Sequence, residues 1–357
     1  MDRKLLDYLP PVLREVLEFQ AINAANEPEI SIAWDALALV LANQFLDTAT
    51  ASGVAVWERE LNIRPKDTDT LEVRKARIKA LWNLELPYTL PWLKNWLTGL
   101  LRAACCEATV LSHESILPDI RLLRALWPDR EHAPHAGQFF TLRAWGADEA
   151  PFLSRPISVH KWEPETQTIE FLYQVIGEGT HKIAQLKTGD TFQLTGPMGN
   201  GFDIPALAEQ YHKIAVVGGG IGTAPMYQVT RELAAAGVKP DVFFGFRDTP
   251  YCMEEYRSIA NVVKVSTDTG AVGFHGFVTQ LYDPADYDAV LICGPTVMMK
   301  NAAQMCAEKG TPCFVSLEKK MACGIGACLG CTCETKGGEG KSVCKNGPVF
   351  DATEVFF

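Results

Sequence analysis

Four cysteines near the carboxyl terminus carry the clearest chemical signal in the sequence. They are Cys323, Cys328, Cys331 and Cys344, and the first three follow the pattern C-x4-C-x2-C. Four thiolates with this spacing are typical of plant-type [2Fe–2S] sites. Glycine permits the close backbone approach and unusual φ values that a loop wrapped around a cluster needs. The intervening glycines are Gly324, Gly326 and Gly330.

A structural zinc site and a set of free cysteines are the alternative interpretations. Protein zinc sites usually pair two C-x2-C-like hooks, and a glycine-rich x4 spacing fits that pattern poorly. Cys333 is an additional thiol inside the motif. We interpret it as a bystander that could replace a ligand only in a damaged cluster. The spacing therefore favours an iron–sulfur centre with the four cysteines as its ligands.

A glycine-rich run, Gly218-Gly219-Gly220-Ile221-Gly222-Thr223-Ala224-Pro225, follows an apolar stretch and precedes a helical pattern. Glycines let a phosphate approach backbone N–H groups at the positive end of a helix, and Pro225 suits a first helical turn. The run departs from G-x-G-x-x-G because Thr223 stands at the last glycine position, so a simple turn is the alternative. The candidate nucleotide contacts are Gly219, Gly220, Gly222, Thr223 and Pro225.

Two shorter motifs are informative only together with the cysteine motif and the glycine-rich run. Cys293-Gly294-Pro295 ends another predicted strand, and open α/β sheets bind ligands at the carboxyl ends of their strands. These three residues are therefore further nucleotide candidates, although a cysteine such as Cys293, taken alone, is more often a buried core thiol. Arg155-Pro156-Ile157-Ser158 alone is compatible with a surface turn.

The composition restricts the class of protein. Of 357 residues, 47% are hydrophobic and 21% are charged, which is typical of globular domains. A formal net charge of −10 argues against binding to nucleic acid or to an anionic membrane. The sequence contains no apolar run of membrane-spanning length, and its first residues do not resemble a secretory signal. The eleven cysteines therefore predict a reduced, cytoplasmic protein with metal-binding rather than disulfide-bonded cysteines.

Residue usage changes sharply near residues 101–105, which indicates two differently built units. Residues 1–101 contain two of the 28 glycines, five of the eight tryptophans and no cysteine. Apolar residues recur there at helical spacing, as in Trp34, Leu37 and Leu41. Asp69 and Glu72 resemble a capping box at the start of one helix, and Thr89 is predicted to cap a last one. We therefore predict an all-α domain over residues 1–101.

This first unit shows no pattern with evident chemistry. Arg74, Lys75, Arg77 and Lys79 form a basic run, which we interpret as a solvated helix face. The tryptophans are interpreted as core or interface anchors.

The second unit is predicted to contain a barrel, a parallel sheet and a cysteine loop. Short apolar runs separated by glycines indicate a small antiparallel β-barrel. Beyond residue 213, strands alternate with helices, which implies a parallel sheet with crossover connections. Strands are predicted at residues 139–143, 169–175, 191–194, 214–217, 242–246, 262–265, 289–293 and 313–317. The predicted domains are 104–205 for the barrel, 206–317 for the α/β domain and 318–357 for the cysteine loop.

Several segments of the first unit resemble a family of phage tail (baseplate) assembly proteins, over roughly residues 5–100. These segments are Leu9-Pro10-Pro11, Gln44 to Thr50, Trp57 to Leu61, Arg74 to Ile78 and Pro87 to Leu90. They are packing and turn patterns. The resemblance therefore implies a structural interaction module. Because nothing in residues 1–101 supplies redox chemistry, we expect an accidental join to the second unit rather than a functional coupling.

Residues from about 104 to 357 resemble electron transfer subunits of dihydroorotate dehydrogenase B, within the ferredoxin–NADP reductase superfamily. The resemblance implies an FAD site, a nicotinamide site and cluster ligands at Cys323, Cys328, Cys331 and Cys344. Gln174 departs from the arginine that is usual in the family, which removes one cationic contact to FAD. The implied FAD contacts are Arg155, Pro156, Ile157, Ser158, Leu172, Tyr173, Gln174, Gly179 and Thr180. The implied nicotinamide-side residues are Gly219, Gly220, Gly222, Thr223, Pro225, Cys293, Gly294 and Pro295.

The resemblance also implies a function. Electrons would pass from the FMN of a catalytic subunit that oxidises dihydroorotate, through the [2Fe–2S] cluster and FAD, to NAD+ in pyrimidine biosynthesis. A heterotetramer with that subunit, cofactor-based electron transfer without a catalytic side chain, and NAD rather than NADP are the accompanying expectations. A related flavin and iron–sulfur reductase with another partner is one alternative. A phage tail structural protein fused to an inactive reductase segment is the other.

Overall fold

The computed structural model describes residue 15, residues 17–85 apart from 44, 47, 62 and 67, and residues 104–357 apart from 147. The chain divides into two compact units, Met1–Leu93 and Lys94–Phe357. The last helix of the first unit, predicted to begin near Thr89, lies outside the described residues. Within these ranges, no helix combines the length and apolar character needed to cross a membrane.

Helices make up the secondary structure described in the first unit. They are α1 (Leu17–Asn43), α2 (Ala51–Glu60) and α3 (Leu71–Glu85). Leu46, Ala49, Val54 and Ile78 form a small buried cluster. Glu58 on α2 is buried and accepts hydrogen bonds from Nε and Nη2 of Arg74 on α3, at 2.8 and 2.6 Å. This bidentate pair joins two of the segments that resemble phage tail proteins.

Two local predictions for this unit are wrong. α3 begins at Leu71, and the Thr70 hydroxyl accepts a hydrogen bond from the Val73 amide at 3.4 Å, so Asp69 is not its cap. The Asp69 carboxylate instead accepts from the Lys66 amide and pairs with Arg77, both at 2.8 Å. The basic run is not a uniformly solvated face, because Arg74 and Arg77 both have carboxylate partners.

The second unit begins with an antiparallel sheet of seven strands in the order β4-β3-β7-β1-β2-β6-β5. Every neighbouring pair is antiparallel. Its interior is aromatic, with Trp127 and Phe171 both packed edge-on against Phe140. The strands are β1 (Ala104–Leu117), β2 (Ile120–Leu126), β3 (Phe139–Arg143), β4 (Arg155–Ser158), β5 (Lys161–Glu163), β6 (Thr168–Gln174) and β7 (Thr191–Met198).

A second seven-stranded sheet follows, in the order β11-β10-β9-β8-β12-β13-β16. All its pairs are parallel except that of β13 with β16. Its strands are β8 (Ile214–Gly219), β9 (Asp241–Phe246), β10 (Val262–Thr267), β11 (Phe274–His275), β12 (Ala289–Cys293), β13 (Cys313–Ser316) and β16 (Val349–Asp351). Six helices belong to the described part of this unit: α4 (Glu178–Ile183), α5 (Ile204–Gln210), α6 (Thr223–Ala235), α7 (Met253–Arg257), α8 (Thr296–Lys309) and α9 (Val343–Asn346).

The cysteine segment leaves the second sheet after β13 and returns to it as β16. Between them lie a small hairpin of β14 (Thr332–Glu334) and β15 (Gly340–Ser342), and then α9. Cys331 and Cys344 belong to the same buried cluster as Val217, Val315 and Phe350. The cysteine segment is therefore packed onto the parallel sheet.

Candidate functional site

The four predicted cluster ligands lie together on the loop that precedes β14 and on α9. Each sulfur accepts a backbone hydrogen bond, as an Fe–S site requires for tuning its charge. The donors are the amides of Cys328 to Cys323 (3.4 Å), Gly330 to Cys328 (3.4 Å), Cys344 to Cys331 (3.4 Å) and Gly326 to Cys344 (3.1 Å).

The four thiols form two pairs rather than one tetrahedron. Cys323 is within hydrogen-bonding reach of Cys328, and Cys344 is within reach of Cys331. Among the residues that the structure describes, no three His, Cys, Asp or Glu side chains converge as ligands of a single ion. A single zinc needs its donors around one point, whereas a binuclear cluster takes two cysteines at each iron. Two neighbouring pairs of cysteines are compatible with a [2Fe–2S] cluster.

Two of the three predicted loop glycines have the left-handed backbone that the motif suggested. Gly324 has φ of +71° and Gly326 of +79°. A Cβ at Gly324 would lie 2.6 Å from Sδ of Met198. The special φ expected at Gly330 is absent, and Leu329 beside it adopts φ of 56° instead. The loop thus reaches its shape partly through a strained non-glycine residue.

The local electrostatics differ between the ligands. Burial opposes ionisation of Cys323, but the amides of Cys328, Ile325 and Ala327 donate to its sulfur and lower the pKa of Cys323 to about 7. Burial raises the pKa of Cys344, and the adjacent Cys331 raises it further. Cys333 is buried and turns its thiol to the carbonyl of Lys341 at 3.4 Å, so it already has a backbone partner.

A cavity of about 340 Å³ lies between the barrel and the parallel sheet. The barrel contributes β4, the end of β6 and the start of α4, while the sheet contributes the first turn of α6 and the end of β12. The predicted residues that line this cavity are Arg155, Pro156, Ile157, Ser158, Leu172, Tyr173, Gln174, Thr180, Pro225 and Cys293. Residues from two distant predicted motifs thus meet at one cavity.

Gly179 shapes the cavity without lining it. A Cβ at Gly179 would collide with the guanidinium of Arg155, so the glycine lets this arginine lie across the start of α4. Thr180 closes the turn below, because its hydroxyl accepts from the amides of Ile176 and Gly177, both at 3.0 Å. The absent Cβ and the crossing guanidinium form a cradle that suits an anionic group.

Positive charge collects beside this cradle. Arg143 and Arg155 each lie 5.7 Å from the ring centre of Trp145, and Lys182 lies 5.9 Å from it. Gln174 carries no charge and donates to Asp119 at 2.7 Å. The buried phenol of Tyr173 contacts His113 at 3.0 Å, and burial raises the pKa of Tyr173. An apolar cavity with cations at one end fits a flavin that carries phosphates.

The glycine-rich loop and the Cys293 loop pack against each other at the carboxyl ends of β8 and β12. A Cβ at Gly222 would lie 2.5 Å from Cα of Gly294, and one at Gly219 would lie 3.0 Å from Cδ of Pro295. Gly220, with φ of +54°, has open space where a Cβ would lie. Thr223 donates its hydroxyl to the Gly220 carbonyl at 2.9 Å. These six residues lie behind the cavity wall and not on it.

Sequence reasoning missed several wall residues. They include Phe139, Ile176, Leu317, Lys319, Met321 and Pro348. Phe139 pairs with Met198 across β3 and β7, and Met198 is the residue against which Gly324 packs. The cavity and the cluster loop therefore share a wall. Phe139 and Met198 carried no signal as single apolar residues, because only the sheet pairing brings them together.

The comparisons with known proteins agree with this architecture. The family model "Iron-sulfur cluster binding domain of dihydroorotate dehydrogenase B" matches residues 318–356, and the model "Bacteriophage Mu-like, Gp48" matches residues 3–113. A solved NADH-dependent reduced ferredoxin-NADP oxidoreductase is 30% identical, with a TM-score of 0.62, over 70% of this chain and 89% of that one. The ferredoxin reductase of carbazole 1,9a-dioxygenase shares the fold at 21% identity and a TM-score of 0.50, over 59% of this chain and 67% of that one.

An antiparallel half-barrel, a parallel nucleotide-type sheet and a carboxyl-terminal iron–sulfur segment define a ferredoxin reductase-like electron transfer protein. Two relatives are electron transfer subunits of dihydroorotate dehydrogenase B (NAD(+)). The one from Clostridium acetobutylicum is 45% identical over 219 residues, which are 61% of this chain and 85% of that protein. The one from Caldanaerobacter subterraneus is 40% identical over 256 residues, 70% of this chain and 98% of that protein. The chain belongs to this family of electron transfer subunits.

Proposed function

We propose that residues 104–357 carry electrons from the FMN of a dihydroorotate-oxidising catalytic subunit to NAD+, through a [2Fe–2S] cluster and FAD. One observation carries the proposal. Residues of β4 (Arg155 to Ser158), residues at the start of α6 (Ala224 and Pro225) and Cys293 at the end of β12 line the same cavity. Sites that exchange electrons must be close, and a cavity lined by both the barrel and the parallel sheet supports a flavin and a nicotinamide bound side by side.

Bound FAD would supply the chemistry that joins the two other carriers, because a flavin exchanges electrons singly with a cluster and in pairs with a nicotinamide. No general acid or base is required of the chain, whose residues bind, orient and exclude water. Arg155, laid across Gly179, is placed to hold a flavin phosphate. Lys182, near Trp145, is paired with Glu149 at 3.1 Å, so Arg155 is the cation of this group that lines the cavity.

The cluster would be held by Cys323 with Cys328 and by Cys331 with Cys344. Backbone amides already point at all four sulfurs, so negative charge on bound thiolates is stabilised by groups that need no rearrangement. Because ligation requires thiolates, cluster binding would release protons from cysteines that carry them.

For the nicotinamide nucleotide we propose NAD. Arg247 follows β9 and is 90% exposed, with its Nε 3.8 Å from the carboxylate of Asp248. A carboxylate beside this arginine reduces its attraction for a 2′-phosphate and disfavours NADP. Comparison of steady-state rates with the two nucleotides tests this choice, and a strong preference for NADP+ would overturn it.

A groove of about 1060 Å³ lies on the other side of the cluster loop, lined there by Gly324, Ile325, Cys344 and Lys345. We propose this side as the approach of the FMN-containing subunit, in a heterotetramer. For residues 1–101 we propose an all-α phage-tail-like domain that has a structural role and takes no part in electron transfer.

The experiment is anaerobic purification of the full chain with and without a dihydroorotate-oxidising catalytic subunit. We expect about one FAD, two iron and two sulfide per chain, as a [2Fe–2S] flavoprotein requires, and NAD+ reduction that depends on dihydroorotate. A coloured chain that supports only ferredoxin- or NADP-linked activity would favour a related reductase. A colourless chain would favour the structural protein with an inactive reductase segment.

A further inference from the structure

One buried side chain of the barrel contacts helices that flank the parallel sheet, beside the proposed flavin and nucleotide sites. His160 follows β4 by two residues and is fully buried. Its own amide donates to the Glu170 carbonyl at 2.9 Å, which fixes its backbone to the barrel. The imidazole therefore projects from the same chain segment that carries Arg155 to Ser158.

The imidazole contacts the first turn of α6. Nδ1 lies 2.7 Å from the carbonyl oxygen of Ala224, and because a carbonyl only accepts, Nδ1 carries the hydrogen. Ala224 and Pro225 directly follow the glycine-rich loop and line the cavity. The ring also packs on Tyr227, with centroids 5.0 Å apart and planes 30° apart.

Nε2 of His160 faces a different helix. It lies 3.8 Å from Oε2 of Glu255 on α7 and has no hydrogen-bond partner in the described part of the chain. The strong contact of the ring is thus the one at Nδ1. Glu255 is a half-exposed neighbour at ion-pair distance.

The rest of α6 is fastened to the barrel without His160. The Trp162 amide donates to Gln228 at 3.0 Å. Arg231 donates to the Trp162 carbonyl at 2.8 Å and to Glu163 at 2.7 Å. These contacts hold the middle of the helix. Its first turn accepts two side-chain hydrogen bonds, one from His160 of the barrel to the Ala224 carbonyl and one from Tyr256 of α7 to the Thr223 carbonyl at 2.8 Å.

We propose that His160 is a positioning residue that sets the approach of the nicotinamide nucleotide to the flavin. It ties the strand that would hold FAD to the helix start that would hold the dinucleotide, through one hydrogen bond to Ala224. The proposal rests on the function proposed above. It states that His160, which is not among the proposed cofactor contacts, sets the distance and orientation between the nicotinamide and the flavin. Small displacements matter here, since about 1 Å of misplacement costs on the order of 100-fold in rate.

Three substitutions in the full chain separate the Nδ1 contact from simple bulk. His160→Asn places an amide N–H where Nδ1 stands, His160→Gln places its amide where Nε2 stands, and His160→Leu removes both nitrogens. The exposed His212, in the loop before β8, provides the matched control His212→Gln. FAD content, hydrogen exchange of residues 222–230, and single-turnover flavin reduction by NADH are measured on each.

We expect His160→Gln and His160→Leu to keep bound FAD but to slow flavin reduction by about tenfold or more. Amides at the start of α6 should exchange faster in both variants, also in apoprotein stripped of flavin. His160→Asn should retain most of the rate and protection, and His212→Gln should match the unmodified chain. If His160→Leu fails to fold, the comparison of His160→Asn with His160→Gln still tests the role of the Nδ1 hydrogen bond.

Equal rates and exchange for Asn, Gln and the unmodified chain would overturn the proposal. So would loss of FAD in parallel with rate in all three variants, because that is a general structural effect. If the unmodified chain shows no flavin reduction by NADH, the proposed function fails. Exchange in the apoprotein then still reports whether His160 fixes the start of α6.

Discussion

Gly324 of the cluster loop packs directly against Met198 of the barrel, so closely that a Cβ would lie 2.6 Å from the methionine sulfur. Phe139, the partner of Met198 across the sheet, lines the cavity proposed for FAD. The contact joins the cluster loop to β7, whose neighbour β3 contributes Phe139 to that cavity.

Gly324→Ala should therefore reduce cluster content. Gly310→Ala is the matched control, since both glycines have φ of +71° but Gly310 has open space around its Cβ position. Left-handed backbone should cost each variant about 1–2 kcal/mol, whereas the clash with Met198 affects Gly324 alone. Iron and sulfide per chain are the measurement. Equal iron in both variants would contradict the close packing.

Gly179→Ala should weaken FAD binding, because the added Cβ collides with Arg155 and displaces the guanidinium. We expect a loss of about tenfold or more in affinity, comparable to losing a charge-assisted hydrogen bond. Flavin retained after dialysis and fluorescence titration of the apoprotein measure it. Gly337→Ala, in the β14–β15 turn with nothing nearer than 3.9 Å, serves as the control. An unchanged affinity in Gly179→Ala would argue against Arg155 as a flavin contact.

Serine substitutions should separate the cluster ligands from the bystander. Cys323→Ser, Cys328→Ser, Cys331→Ser and Cys344→Ser should each lose most iron, because each removes one of four thiolates. Cys333→Ser should keep its iron, since the thiol of Cys333 is directed to the Lys341 carbonyl. Visible spectra and iron analysis of anaerobically purified chains provide the test. If Cys333→Ser also loses its iron, Cys333 is a ligand rather than a bystander.

The acid stability of the barrel–sheet contact should depend on Glu163. Burial opposes ionisation of Glu163, but Lys161 at 3.0 Å and Arg231 at 2.7 Å outweigh it and lower its pKa. Its contribution to the free energy of unfolding is therefore complete above the unfolded pKa of about 4.5. This contribution is lost as the pH falls through the pKa of Glu163 in the folded protein, which is lower than its pKa in the unfolded chain.

Glu163→Gln should reduce stability at neutral pH by about 1 kcal/mol, a modest figure because the pair is partly exposed, and should flatten the decline below pH 4.5. Thermal melting from pH 3 to pH 7 measures both effects. Glu165→Gln, at an exposed position in the following turn, should change neither. If the stability of Glu163→Gln falls below pH 4.5 as steeply as that of the unmodified chain, Glu163 is not the source of the acid sensitivity.

Glu58→Gln should destabilise the first unit by roughly 3 kcal/mol, the usual cost of removing one partner of a buried ion pair. Glu58 is 3% exposed and holds Arg74 with two hydrogen bonds. Hydrogen exchange of residues 51–85 is the measurement, and the exposed Glu60→Gln is the control. Flavin and iron content should not change, and a parallel loss of either would give this unit a role in electron transfer.

The local elements with regular patterning were predictable from the sequence. Strands at 139–143 and 289–293 were placed at their observed bounds, and the cysteine motif led to four neighbouring sulfurs. The first strand, β1, was missed because its register shifts between Val110 and Ser112 and again between Ser115 and Leu117. Each shift changes the face that a side chain occupies, so simple alternation disappears.

Contacts between distant segments were beyond the reach of pattern reading. His160 and Ala224 lie 64 residues apart, and nothing in either local sequence predicts their hydrogen bond. The contact between Arg155 and Gly179 was equally unpredictable. The family resemblance implied that both residues contact FAD, but not that they contact each other. Such contacts depend on how the barrel packs on the sheet, and that is fixed by the shared core of both.

The antiparallel pairing of β16 with β13 returns the chain to the strand it left before the cysteine loop. The segment between them is a loop with both ends held on one sheet. Its conformational freedom in the absence of metal is therefore restricted, as it is in a cross-linked chain. Loss of the cluster then leaves the ligands tethered near one another. We therefore expect the sheet beneath the loop to stay folded when the cluster is lost.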